Sequence, residues 1–90
     1  MKIIVVGCGR MGLGLANELV RRGHEVNIVD NDTQRLCIIK NGFSGKCIAG
    51  VGFDKETLER ANIQVADAVV SCTNSDESNA LIADRCRSLV

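Results

Sequence analysis

Near its start the chain reads Lys2-Ile3-Ile4-Val5-Val6-Gly7-Cys8-Gly9-Arg10-Met11-Gly12. An unbroken apolar run of about five residues reads as a strand buried on both faces, the kind found inside parallel sheets. Glycines at 7, 9 and 12 follow in G-x-G-x-x-G spacing. Helical periodicity begins at once, with Ala16, Leu19 and Val20 three or four residues apart. In such a turn the first glycine permits a tight strand-to-helix reversal. The second lets a pyrophosphate touch the backbone, and the third lets the helix lie close against its strand. Amide groups at the helix N-terminus, with the macrodipole behind them, complete an anion site.

The glycine spacing alone is a weak signal, and the next element tests it. Glu25-Val26-Asn27-Ile28-Val29 reads as a second strand and ends in Asp30, within the ~20 residues expected after the glycines. A carboxylate there accepts hydrogen bonds from adenosine ribose hydroxyls and repels a 2′-phosphate, which favours NAD over NADP.

Between these strands Arg21-Arg22-Gly23 is a helix stop, with cations on the negative end of the dipole and a glycine after them. His24 then reads as a turn residue. Asn31-Asp32-Thr33-Gln34 has capping-box spacing, with Asn31 as cap and Gln34 reaching back. A second helix over 32–40 is expected to bury Leu36 and Ile39 and to close at Asn41-Gly42. A third strand, Lys46-Cys47-Ile48-Ala49, enters Gly50-Val51-Gly52. That turn either admits a flat ring such as adenine or is simply flexible, and the residues leave both readings open. A short helix from Lys55 to Arg60 presents Leu58 to the core. The fourth strand, Ala68-Val69-Val70-Ser71-Cys72, runs into Thr73-Asn74. Asn74 and Glu77 form a second capping box for a last helix through Ala80, Leu81 and Ala83.

Strands alternating with helices imply right-handed crossovers and an α/β, doubly wound parallel sheet. In the order 3-2-1-4 a ligand binds where strands 1 and 4 part, outside their carboxyl ends. The glycine turn, Asp30, the Gly50 turn and Thr73-Asn74 all fall on that edge. Ninety residues make one domain, spanning 1–90. Eleven basic and eleven acidic side chains cancel, which removes a general electrostatic case for nucleic acid or anionic membrane. With two Phe and no Trp or Tyr, platforms for stacking bases are lacking. No apolar run approaches the ~20 residues of a membrane span, and a chain that opens on a strand leaves no signal peptide to remove. Five cysteines without a C-x-x-C pair suit reduced thiols in a cytoplasm. Cys37, Cys47 and Cys72 are expected to fill core volume, and Cys8 to fill the glycine loop.

Three segments carry a resemblance to a known family. They are Ile4-Val5-Val6-Gly7-Cys8-Gly9-Arg10-Met11-Gly12, Val29-Asp30-Asn31-Asp32-Thr33-Gln34-Arg35-Leu36, and Ala66-Asp67-Ala68-Val69-Val70-Ser71-Cys72-Thr73-Asn74-Ser75-Asp76-Glu77-Ser78-Asn79. Together they resemble the N-terminal domain of Trk/Ktr-type potassium-uptake regulators, the cytoplasmic gating-ring or RCK proteins. The threonine ending strand 4, with Asp76-Glu77 and Asn79 after it, sets this pattern apart from generic Rossmann-like dehydrogenases.

The resemblance implies a Rossmann-like domain that binds NAD or NADH, or else ATP or ADP. It also implies a peripheral cytoplasmic subunit controlling a membrane potassium channel or transporter. Gly7, Gly9, Arg10, Met11 and Gly12 would serve the phosphates, with Cys8 inside the loop. Asp30 would serve the ribose, with Asn31 beside it and Arg35 near the adenosine. Gly50 and Val51 would lie against the adenine, and Cys72, Thr73 and Asn74 at the distal ribose. No catalytic residue and no metal ligand are implied. Against the family's six-stranded domain the four strands look truncated. The third-strand turn also departs from the family's polar Gly-Asp or Asn-Ala pair.

An alternative is the cofactor half of an NAD-dependent dehydrogenase or reductase. Hydride transfer needs an acid or base beside the nicotinamide, and His24, Cys72 and Asp76-Glu77 are the candidates. A third alternative is a folded remnant with no physiological ligand. Strand 4 would be the last of the sheet and is apolar, without lysine or proline to discourage pairing. A homodimer or larger assembly through that edge or the final helix is therefore expected.

Overall fold

Residues Lys2–Val6 form β1, and pleating sends their side chains alternately to two faces. Ile3 and Val5 join one apolar cluster and Ile4 and Val6 another. The computed structural model describes residues 1–7, 10–40, 43, 45–51, 54–73 and 79, with backbone alone at 10, 11 and 38–40. Within them the order is β1, α1 (Arg10–Arg21), β2 (Glu25–Asp30), α2 (Thr33–Lys40), β3 (Lys46–Ala49), α3 (Lys55–Arg60), a 3-10 turn (Ile63–Val65) and β4 (Ala68–Ser71).

The four strands are parallel in the order β3-β2-β1-β4, the doubly wound arrangement expected from the sequence. Ile3, Val5, Val26 and Ile28 face the helices α1 and α2, meeting Ala16, Leu36 and, partly buried, Leu13, Leu19 and Val20. Ile4, Val6, Val29 and Ile48 face Leu58, Ala61 and Ile63 of α3 and the 3-10 turn. Asn27 points to this second face without cost, because its Nδ2 donates to the Ala61 carbonyl at 3.0 Å.

The stop of α1 is a Schellman closure. The Gly23 amide bonds the Val20 carbonyl, the His24 amide bonds that of Leu19, and Gly23 takes φ +89. On the same end Arg22 and Arg21 both hydrogen-bond Glu18 and hold its carboxyl below the usual range. These groups are exposed, so the cluster adds little stability.

Two expectations need correction, and one element is new. The cap of α2 is Asp32, not Asn31: Asp32 Oδ1 accepts the amides of Gln34 and Arg35, both at 3.1 Å. A cap must stand directly before the first helical turn, and α2 starts at Thr33. Cys37 is exposed, while Cys47 and Cys72 are partly buried against the first cluster. The 3-10 turn was unforeseen; it follows Asn62, which adopts the left-handed conformation at φ 65. The closure at Asn41-Gly42, the Ile39 side chain and the last helix with its Asn74–Glu77 box lie outside the described residues.

Two glycines fix how β1 hands over to α1. Gly7 has φ +93, and a side chain there would approach the carbonyl carbon of Cys72 and the amide of Thr73 to 2.9 Å. A Cβ at Gly12 would lie 2.1 Å from the Gly7 carbonyl oxygen, a backbone atom that cannot swing aside. Gly12→Ala must therefore push α1 off the sheet, at a cost of about 1–3 kcal/mol or more. Denaturant unfolding should show a clearly lowered midpoint; a midpoint equal to the parent's would contradict this packing.

Candidate functional site

The carboxyl ends of all four strands converge on one edge and are tied laterally by their own backbone. The Gly7 amide bonds the Val29 carbonyl at 2.8 Å, the Gly50 amide bonds that of Asp30 at 3.0 Å, and the Cys72 amide bonds that of Val6 at 2.7 Å. Gly7 thus sits between the ends of β2 and β4, where strand order reverses. That is the position of ligand crevices in open α/β sheets. Backbone N–H groups of the first turn of α1 lie just past this point, beginning at Arg10. Cys8, Gly9 and Asn74 lie outside the described residues, as do the side chains of Arg10 and Met11.

Asp30 ends β2 with its side chain almost fully buried. Its Oδ1 accepts the Asp32 amide at 2.9 Å, and its Oδ2 lies 3.3 Å from Nη1 of Arg35. Arg35 also reaches Asp32 Oδ2 at 3.8 Å. The carboxylate is held from two sides, by the turn that follows it and by the first turn of α2. Such a fixed acceptor suits a diol better than a mobile one would, since the ordering cost is already met. Asn31 is exposed between the two aspartates.

At the far side of the crevice Thr73 follows β4 by two residues and is clasped by Asn79. The Thr73 amide donates to Asn79 Oδ1 at 3.1 Å, the Thr73 hydroxyl donates to the same oxygen, and Asn79 Nδ2 donates to the Thr73 carbonyl at 3.3 Å. Asn79 marks the family pattern in the sequence, but its contact with Thr73 is not legible there, because the two stand six positions apart. Cys72 is partly buried beneath them, its Cβ within the packing shell of Gly12.

The third turn packs closely on α3 at Gly50. A Cβ there would come within 2.4 Å of Oγ1 of Thr57, which is itself buried on α3. Gly50 is thus required by helix packing. Val51 beside it is 41% exposed, an apolar surface on the same edge. Gly52 lies outside the described residues.

His24 is remote from this edge. Its Nδ1 lies 3.1 Å from the Met1 amino group, at the amino ends of β1 and β2. A concavity of about 270 Å³ opens at that amino edge too, lined by Lys2, Glu25, Asn27, Lys46 and Asn62 among others. Among the described residues no group of three or more His, Cys, Asp or Glu side chains is placed to hold a metal ion. No described helix is long and apolar enough to cross a membrane.

Comparison with known proteins places the fold and the family. The fold is similar to the C-terminal domain of a Kef protein from Shewanella denitrificans, with a TM-score of 0.85, 20% identity and coverage of 98% of this chain and 52% of that one. It is also similar to the NAD(P)-binding domain of an exopolyphosphatase-related protein from Archaeoglobus fulgidus, with a TM-score of 0.85, 26% identity and coverage of 98% and 65%. In sequence the chain is 37% identical over 83 residues to the Trk system potassium uptake protein TrkA of Streptomyces coelicolor, covering 92% of this chain and 37% of that protein. It is 40% identical over 81 residues to a TrkA homolog of Methanothermobacter thermautotrophicus, covering 90% and 38%. The chain therefore spans little more than a third of the length of these relatives. The model of the TrkA-N domain matches residues 3–90, and the chain belongs to that domain family.

Proposed function

We propose that this domain binds NAD or NADH at the carboxyl edge of its sheet and acts as a regulatory module of a potassium-uptake system. The observation that carries the reading is the convergence of Gly7, the start of α1, the buried Asp30 and the Thr73–Asn79 clasp at one switch point. In it the pyrophosphate lies on the amide groups of the glycine turn and the adenosine ribose on Asp30. Arg10, Met11 and Cys8 flank the phosphates, Val51 and Gly50 border the adenine, and Thr73, Asn74 and Cys72 border the distal ribose. ATP or ADP carries the same adenosine end and enters the same half of the site. Support comes from the similarity to an NAD(P)-binding domain and from relatives named as potassium uptake proteins.

The domain acts by binding rather than turnover. The carboxyl edge presents hydrogen-bonding groups, while the histidine lies at the opposite edge. A nucleotide bridging β1, β2 and β4 biases a gate only if it binds one arrangement of assembled domains more tightly than another. In this reading the domain sits at the cytoplasmic face of the membrane against a transporter subunit, without entering the bilayer. A homo-oligomer formed through β4 supplies the second arrangement, since among the described residues β4 pairs only with β1. Val69 and Val70 pack against opposite apolar clusters, so substituting either would damage the core and obscure association.

Two measurements check the proposal. Calorimetry should show NADH binding at least about tenfold tighter than NADPH. Asp30→Ala should weaken NADH by about 1.5–3 kcal/mol, the weight of hydrogen bonds to a charged group; an unchanged affinity would remove Asp30 from the site. Light scattering at micromolar concentration should report a mass at least twice that of one chain. A stable monomer would refute assembly through β4.

A further inference from the structure

Asp30 is only half of the charge arrangement at the end of β2. The Arg35 guanidinium lies across two carboxylates: Nη1 is 3.3 Å from Oδ2 of the buried Asp30, and Nη2 is 3.8 Å from Oδ2 of the half-exposed Asp32. Each aspartate has a second task. Asp30 Oδ1 receives the Asp32 amide, and Asp32 Oδ1 caps α2 through the amides of Gln34 and Arg35. The helix that carries Arg35 is thus started by the carboxylate that restrains it. Arg35 itself is 44% exposed, so part of its fork faces solvent next to the acid. An acid at this position excludes a 2′-phosphate, whereas an arginine close by accommodates one. Both stand here in direct contact.

We infer that Arg35 is a specificity-determining residue for the 2′ position of the nucleotide, and that Asp32 sets how far it can act. The inference rests on the proposed nucleotide site. With two carboxylates and one guanidinium, the cluster carries one net negative charge and rejects a 2′-phosphate. Arg35 softens that rejection, because a guanidinium freed from a carboxylate can pair with a phosphate in the same forked geometry. Asp32 opposes this by holding the second arm of the fork. Asp30 reads the hydroxyls of an unphosphorylated ribose whichever way Arg35 turns, since the Asp32 backbone amide orients Oδ1.

The test is the ratio of NADPH to NADH dissociation constants, measured by calorimetry on the full chain. The pyrophosphate is common to both ligands, so the ratio isolates the 2′ position. Arg35→Ala should raise the ratio by about tenfold, the loss of one charge-assisted pair. Asp32→Asn keeps an oxygen to cap α2 and removes the competing charge. It should lower the ratio by roughly threefold to fivefold, the scale of an exposed charge in screened solvent. Should Arg35→Ala lose its fold by circular dichroism, the Asp32→Asn ratio decides alone. A ratio that stays at the parent's value, or moves the opposite way, in a folded variant overturns the inference while NADH binding by the parent preserves the nucleotide site. A parent chain that does not bind NADH overturns both.

Discussion

The contact on which the rest depends is the one between Gly12 and the carbonyl of Gly7. It places the first turn of α1 against the end of β1 so closely that no side chain fits between them. With Gly7 in the left-handed region and pressed on the Cys72–Thr73 backbone, the turn is locked to β4 as well as to β1. Helix, first strand and fourth strand are thereby fixed relative to one another at the point where the sheet changes direction. The amide groups that open α1 point into that reversal. A larger residue at either glycine would move the anion site and the sheet together.

Around this contact the edge is built from short-range hydrogen bonds, each setting the next. The Gly7 amide ties the turn to β2, the Gly50 amide ties β3 to the Asp30 carbonyl, and the Asp32 amide fixes the Asp30 carboxylate. At the other end Asn79 closes on Thr73. Function follows from pre-arrangement: groups already held in place spend less of their binding free energy on ordering. The neutral composition fits a small phosphorylated ligand met at a local site rather than a polyanion met across a surface.

The legible part of the structure was the part set by local rules. The apolar run at Ile3 to Val6, the glycine spacing and Asp30 at the tip of the second strand point to the strand order 3-2-1-4 that the structure has. The cap of α2 is ambiguous in the sequence because Asn31 and Asp32 are adjacent and both able to cap; only the backbone decides for Asp32. The face of α2 was equally ambiguous, since Leu36-Cys37-Ile38-Ile39 is an unbroken apolar run without helical periodicity, and Cys37 proved exposed. The turn at Gly50 is open to two readings in the sequence, and neither shows the close approach of Gly50 to Thr57. That contact joins the β3 turn to α3, and no local pattern encodes it. The Arg35 bridge likewise needs the folded backbone: four residues separate it from Asp30, and the turn at Asp32 brings them together.

The proposed nucleotide occupies the carboxyl edge rather than the open concavity at the amino edge. Amide chemical shifts recorded while NADH is added to the isotope-labelled chain test it most directly. The largest changes should fall on Gly7, Gly12, Asp30, Asp32, Val51 and Thr73, while Lys2, Glu25, Lys46 and Asn62 stay still. Changes concentrated on those last four, with the glycine turn unmoved, would contradict it.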